Sequence, residues 1–120
     1  MNTQQLAAEL AGMAQTPGVT ACALVDSATG MVYLSAGSHP QIDAIAEAAS
    51  DYWRLHQRSG VPFAGLGPLQ AISMIHQDGV LSLMPCGEGI VMATLSGRMA
   101  LDMGAWFQKV GKLGRLISQG

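Results

Sequence analysis

Three histidines and two cysteines have the widest chemical repertoire in this chain, and their spacing limits what they can do. His39, His56 and His76 have no second His, Cys or carboxylate at the HxxxH or HxxE spacing that brings two ligands to one helix face. They read as polar residues near element ends, not as metal ligands. Cys22 and Cys86 form no CxxC pair, so neither a zinc site nor a redox motif is indicated. Cys22 falls in mid-strand, where a thiol is buried and inert. Cys86 lies near a turn and becomes a candidate nucleophile only if the hairpin register brings His76 within hydrogen-bond reach. No serine stands in a GxSxG context. Gly65-Leu66-Gly67-Pro68 lacks the third glycine and the lysine of a phosphate cradle, and it precedes a strand where phosphate would need a helix N-terminus. It reads as a connector. Lys109, Lys112 and Arg115 fall at i, i+3 and i+6, the pattern of a solvated helix face; the functional alternative is a docking surface for an acidic partner. No catalytic, cofactor-binding or metal-binding constellation is expected, and no cofactor.

Composition points toward association. The 120 residues fit one domain over 1–120, long enough to bury a core without staples. The chain is 49% hydrophobic but only 5% aromatic, so small residues must approach closely in that core. Charged residues make up 12%, about half the usual share. A small domain with so few charges has difficulty covering itself with polar surface, which favours an oligomer or a lasting partner. The net charge of −2 opposes general nucleic-acid binding, which requires clustered Lys and Arg. No apolar run approaches the ~20 residues of a membrane span, and MNTQQ has no basic signal-peptide start. With free thiols, these features predict a soluble cytoplasmic protein without membrane insertion.

The elements follow from periodicity. Thr3–Gln15 reads as a helix capped by Asn2 or Thr3, with Leu6, Leu10 and Met13 on one face. Val19–Asp26 is apolar at both parities, as in a strand covered on both faces. The turn Asp26-Ser27-Ala28-Thr29-Gly30 is too short for a parallel crossover, so Met31–Ala36 returns antiparallel. Gln41–Ser59 is the best helix, with Pro40 suited to its first turn and Ser38 or His39 near its cap. One face carries Ile42, Ile45, Ala46, Ala49, Trp53 and His56. A second stripe, Ala44, Ala48 and Leu55, has no evident partner within the chain. After the loop Gly60–Pro68, the stretch Leu69–Leu95 reads as three strands folded at Asp78-Gly79 and at Gly87-Glu88-Gly89. A last helix begins between Gly97 and Gly104 and ends near Ser118, with Met103, Trp106, Val110, Leu113 and Ile117 as its core stripe. The order αββαβββα predicts a three-layer, profilin-like α/β/α sandwich around a five-stranded antiparallel sheet.

Leu69–His76 is apolar at both parities, starts after a loop and is expected at a sheet edge, where an unpaired strand is a template for another strand. Only Pro68, just before it, blunts that edge. Pairing with a second copy would satisfy the strand and give Ala44, Ala48 and Leu55 a surface to pack on.

At these residues the sequence resembles the roadblock/dynein light chain family. The resemblance is carried by Pro17-Gly18-Val19 entering the first strand, the turn ending Thr29-Gly30, the helix with Trp53, Leu66-Gly67-Pro68-Leu69 entering a strand, and the hairpin at Asp78-Gly79; it covers Leu6 to Ile117. The resemblance implies one long helix on one face of the sheet and the first and last helices on the other. It implies homodimers that pair the third strands, here Leu69–His76, and pack the long helices, here Gln41–Arg58. Family members regulate or scaffold Ras-like small GTPases, serve as dynein light chains and, in bacteria, stimulate a polarity GTPase without inserting an arginine finger. The expected role is therefore a non-catalytic homodimeric module binding a small GTPase or related signalling protein. The expected dimer interface is Leu69, Ala71, Ile72, Ser73, Met74 and Ile75 with Ala44, Ala48 and Leu55. Glu47, Asp51, Arg54 and Arg58 are the expected partner contacts. Two other classes stay open at this point. One is a profilin-like or PAS-like sensor with a small molecule between sheet and helix, which requires a cavity with inward polar groups. The other is a thiol enzyme built on Cys86 and His76.

Overall fold

Asn2 opens the first helix with a reciprocal cap. Its side chain accepts the Gln5 N–H at 2.8 Å, and the Gln5 side chain accepts the Asn2 N–H at 3.0 Å. The computed structural model describes residues 2–119. Within them lie α1 (Thr3–Met13), β1 (Val19–Asp26), β2 (Val32–Gly37), α2 (Ile42–Arg58), a 3-10 segment (Val61–Leu66), β3 (Ile72–His76), β4 (Gly79–Pro85), β5 (Ile90–Ser96) and α3 (Met103–Gln119). The element order and the five-stranded antiparallel sheet are those read from the sequence.

The strands lie in the order β2-β1-β5-β4-β3, which leaves β2 and β3 as the two edges. Pleating sends alternate side chains to opposite layers. Toward α2 point Ala21, Ala23 and Val25 of β1, Val91 and Ala93 of β5, and Leu81 and Leu83 of β4, packed against Ile42, Ala46, Ala49 and Trp53. Toward α1 and α3 point Cys22, Leu24, Met84 and Met92, packed against Leu10, Trp106, Val110 and Leu113. The alanines on both sides of the first interface let the α2 backbone come close to the sheet. α2 packs chiefly on β1, β5 and β2.

On the other face α3 is pressed against the end of β4. A Cβ added at Gly114 would stand 2.7 Å from the Gly87 nitrogen, so the contact is backbone against backbone. Trp106 is fully buried, and its indole N–H donates to the Thr94 hydroxyl at 3.0 Å.

Several boundaries differ from the sequence expectation, for local reasons. α1 ends at Met13 with Ala14 as its C-cap, short of Gln15. α2 starts at Ile42 because His39 closes a turn before it: its Nδ1 accepts the Gln41 N–H at 3.1 Å and its carbonyl accepts the Ile42 N–H at 3.3 Å. Pro40 therefore precedes the helix. α3 starts at Met103, where Asp102 Oδ1 accepts the Ala105 N–H at 3.0 Å. The loop at residues 60–68 contains one 3-10 segment, on which His56 stacks through Phe63 with centroids 4.7 Å apart.

Candidate interface along the open edge of the sheet

β3 is joined to the sheet through β4 alone, in an unbroken register from Ile72 opposite Leu83 to His76 opposite Gly79. Its outer backbone groups have no strand to pair with among the described residues. No bulge, Pro or Lys within Ile72–His76 blunts it. Ile72 and Met74 turn toward the α2 layer and are half-buried, while Ser73 and Ile75 turn to the opposite face and are exposed. Leu69 and Ala71, expected within this strand, lie outside it. Gly67 leaves the 3-10 segment at φ 79, and the chain reaches the ladder only at Ile72. Leu69 packs on the α2-side core and Ala71 is exposed.

The second stripe of α2 is where the sequence placed it. Ala44, Ala48 and Leu55 are exposed, and Tyr52 stands with them, 56% accessible. Tyr52 is omitted from the apolar stripe read from the sequence. It falls four residues after Ala48, so helical spacing alone was the signal that could have found it. Between this stripe and the β3–β4 hairpin lies a cleft of about 540 Å³. Its walls are Ile45, Ala48, Ala49, Tyr52, Met74, Leu81 and Leu95, with His39, His76 and Asp78 also lining it. The cleft exists because α2 sits over the centre and the β2 side of the sheet and stops short of the opposite edge.

Of the charged residues on α2, Asp43, Glu47, Asp51 and Arg58 are exposed. Arg54 is not free in the same way. Its guanidinium pairs with Asp51 and also donates to the Ser27 carbonyl at 3.4 Å, which ties it to the β1–β2 turn. That turn is organised by Asp26, whose carboxylate accepts the Tyr33 hydroxyl and the Ala28 N–H at 2.8 Å each and the Thr29 N–H at 3.2 Å. These donors hold the Asp26 carboxyl below its ordinary pKa.

The Cys86–His76 pair does not form. His76 ends β3 opposite Gly79, whereas Cys86 follows Pro85 at the far end of β4, a strand length of roughly 23 Å away. Cys86 is fully buried, its Sγ 3.7 Å from the Val110 carbonyl, and burial pushes its thiol up to about 12. Burial likewise pushes Cys22 to about 11. Neither is a thiolate near neutral pH. Among the described residues no group of His, Cys, Asp and Glu could hold a metal ion, and no helix is long and apolar enough to cross a membrane.

No family model matches the sequence, and no curated protein matches it. Solved structures do. A Roadblock/LC7 domain from Streptomyces avermitilis superposes with a TM-score of 0.79 at 23% identity, over 92% of each chain. The gliding protein MglB from Thermus thermophilus gives 0.77 at 16% identity, over 98% of this chain and 91% of its own. MglB from Myxococcus xanthus gives 0.78 at 12% identity, over 99% and 96%. The chain thus has the Roadblock/LC7 fold.

Proposed function

We propose that this chain is a homodimeric, non-catalytic regulatory module of the cytoplasm that binds a Ras-like small GTPase or a related signalling protein. The observation that carries the proposal is the continuity of three unsatisfied features: the bare β3 edge, the apolar cleft beside it and the exposed α2 stripe. Pairing two β3 strands antiparallel, about a two-fold axis perpendicular to the sheet, answers all three together. It supplies the missing backbone partners along Ile72–Ile75 and keeps both α2 helices on one face. There Ala44, Ala48, Tyr52 and Leu55 of one copy can enter the cleft of the other. The small alanines let the helices approach, and the tyrosine and leucine supply buried area. Leu69 and Ala71 flank this interface and are not paired within it.

The partner surface is then the outer side of the paired helices, through Glu47, Asp51 and Arg58. Arg54 acts as the residue that fixes Asp51 and the β1–β2 turn beneath it. The Roadblock/LC7 fold of structures named as the gliding protein MglB supports a regulatory role in place of a catalytic one. The sensor alternative has less to stand on: the cleft opens along the edge, and the cores against both helix layers are closed by Ala, Val, Leu and Trp.

Sedimentation tests the dimer directly. The wild-type chain should run at twice its mass, and Ile72→Asp with Met74→Asp should run as a monomer; an unchanged dimer would sink β3 pairing. The partner is tested by titrating the dimer into Ras-like GTPases from the same genome, loaded with a non-hydrolysable GTP analogue or with GDP. Nucleotide-dependent binding weakened by Asp51→Lys is expected, and a panel with no binding overturns the GTPase reading.

A further inference from the structure

The opposite face of the same edge carries a second apolar hollow, of about 390 Å³. Ser73 and Ile75 of β3 and Val80 of β4 form its floor, and Arg98, Met99 and Met103 stand along one side. α3 does not cover it because its buried contacts, from Trp106 to Gly114, draw it over Thr94, Cys86 and Gly87. Ile75 is left 69% exposed at the floor.

The side wall has an unusual conformation. Met99 has φ 56, the left-handed region that a non-glycine side chain enters at a cost of roughly 1–2 kcal/mol. The result is a thioether 99% exposed to water. The turn around it is closed by the Ala100 N–H donating to the Gly97 carbonyl at 3.3 Å, but among the described residues the Met99 side chain itself has neither burial nor a hydrogen bond. Beside it Arg98 is exposed and forms no ion pair among the described residues.

We infer that this hollow is half of a docking trough, completed in the β3-paired dimer, for an amphipathic helix of another protein that carries carboxylates flanking its apolar face. The inference rests on the dimer proposed above. The perpendicular two-fold sets the Ser73 and Ile75 side chains of the two copies next to each other, so the two floors become one. Four strands, β4 and β3 of each copy, span about 14 Å between outer axes, close to the 10–12 Å diameter of one helix. Methionine walls adapt to varied apolar side chains. One Arg98 on each side selects acidic flanks. A helix can lie between the two walls and reach the floor, whereas a flat bilayer would rest on the walls.

The test uses the full chain and two fluorescent synthetic helices with the same leucine and methionine stripe, one flanked by glutamates and one by lysines. Anisotropy titrations are run on samples whose mass is checked by sedimentation. The dimer should bind the glutamate peptide at least about tenfold more tightly than the lysine peptide. Met99→Glu should weaken that binding about tenfold or more, and Arg98→Glu should reverse the preference. Both side chains are exposed, so neither change threatens the fold. A dimer that binds neither peptide, or binds them unaffected by Met99→Glu, overturns the trough while leaving the dimer standing. So does Met99-dependent binding of phosphatidylglycerol vesicles in place of the peptide. A wild-type chain that sediments as a monomer refutes the dimer itself, and the trough with it.

Discussion

One sheet contains a finished half and an open half. Across β1 and β5 both faces are covered, and alanines stand where the sheet meets α2: Ala21, Ala23 and Ala93 on the strands, Ala46 and Ala49 on the helix. Along β3 and the turn end of β4 the helices fall short on both faces, leaving Met74 and Val80 half-exposed and Ile75 exposed, with Met99 of the β5–α3 connection exposed beside them. The backbone hydrogen bonding is the same kind in both halves. What differs is the layer above it. Small residues suit a place where a rigid helix must come close, and large flexible ones suit a place awaiting something from outside the chain. The exposed apolar residues lie at several places: Ile75 and Met99 beside the β3 edge, Tyr52 and Leu55 on the outer stripe of α2, Val61 and Leu66 on the 3-10 segment, and Met31 and Tyr33 at the start of β2.

The two regions differ most in what their largest side chains contribute. Trp106→Ala should cost about 3–5 kcal/mol, since it empties the α3 core and leaves the Thr94 hydroxyl without its donor. Ile75→Ala should change stability by no more than about 0.5–1 kcal/mol. Urea unfolding of both variants decides it, and similar losses would mean the hairpin is as finished as the rest. A smaller effect sharpens the same point through backbone approach. Gly114→Ala should destabilise by about 1–3 kcal/mol because its Cβ would strike the Gly87 backbone. Gly104→Ala, near only Asp102 Oδ1 at 3.5 Å, should stabilise α3 by about 0.5–1 kcal/mol. Opposite shifts in Tm are expected, and shifts of the same sign would refute the close contact.

A pH dependence tests the closed half through its thiols. Burial raises Cys22 from 9.0 to about 11 and Cys86 to about 12. Above pH 9 the unfolded chain loses thiol protons that the folded chain keeps, so the thiols' contribution is full below that pH and declines as pH rises toward 11. The urea midpoint should fall between pH 8.5 and about pH 10.5. The double variant Cys22→Ala, Cys86→Ala should show a shallower fall, and an identical slope would show that the two sites are wet.

Much of this was legible in the chain because periodicity reports which faces are apolar. Val19–Asp26 read as covered on both faces, and Ala21 to Val25 are fully buried. The Ala44, Ala48 and Leu55 stripe read as lacking a partner in the chain, and it is exposed. Other features were not legible for equally physical reasons. Apolar parity cannot separate a strand from an extended approach to one, so it extends β3 to include Leu69 and Ala71. Charge pattern cannot show that Arg54 bends onto the Ser27 carbonyl, 27 positions earlier in the chain. Nor can spacing predict that Met99 takes a left-handed turn.

By itself the sequence determined the elements, their order, the antiparallel pairing forced by short turns, and the excess of apolar surface over what one domain can hide. Those follow from local sterics and periodicity. Only the tertiary structure decided where that excess went. The order β2-β1-β5-β4-β3 places β3 at the rim, and the contacts of α2 and α3 pull both helices away from it. Helix placement is a packing outcome, set by close approaches such as Gly114 on Gly87 and Ala46 on the sheet alanines, and no local pattern along the chain encodes it.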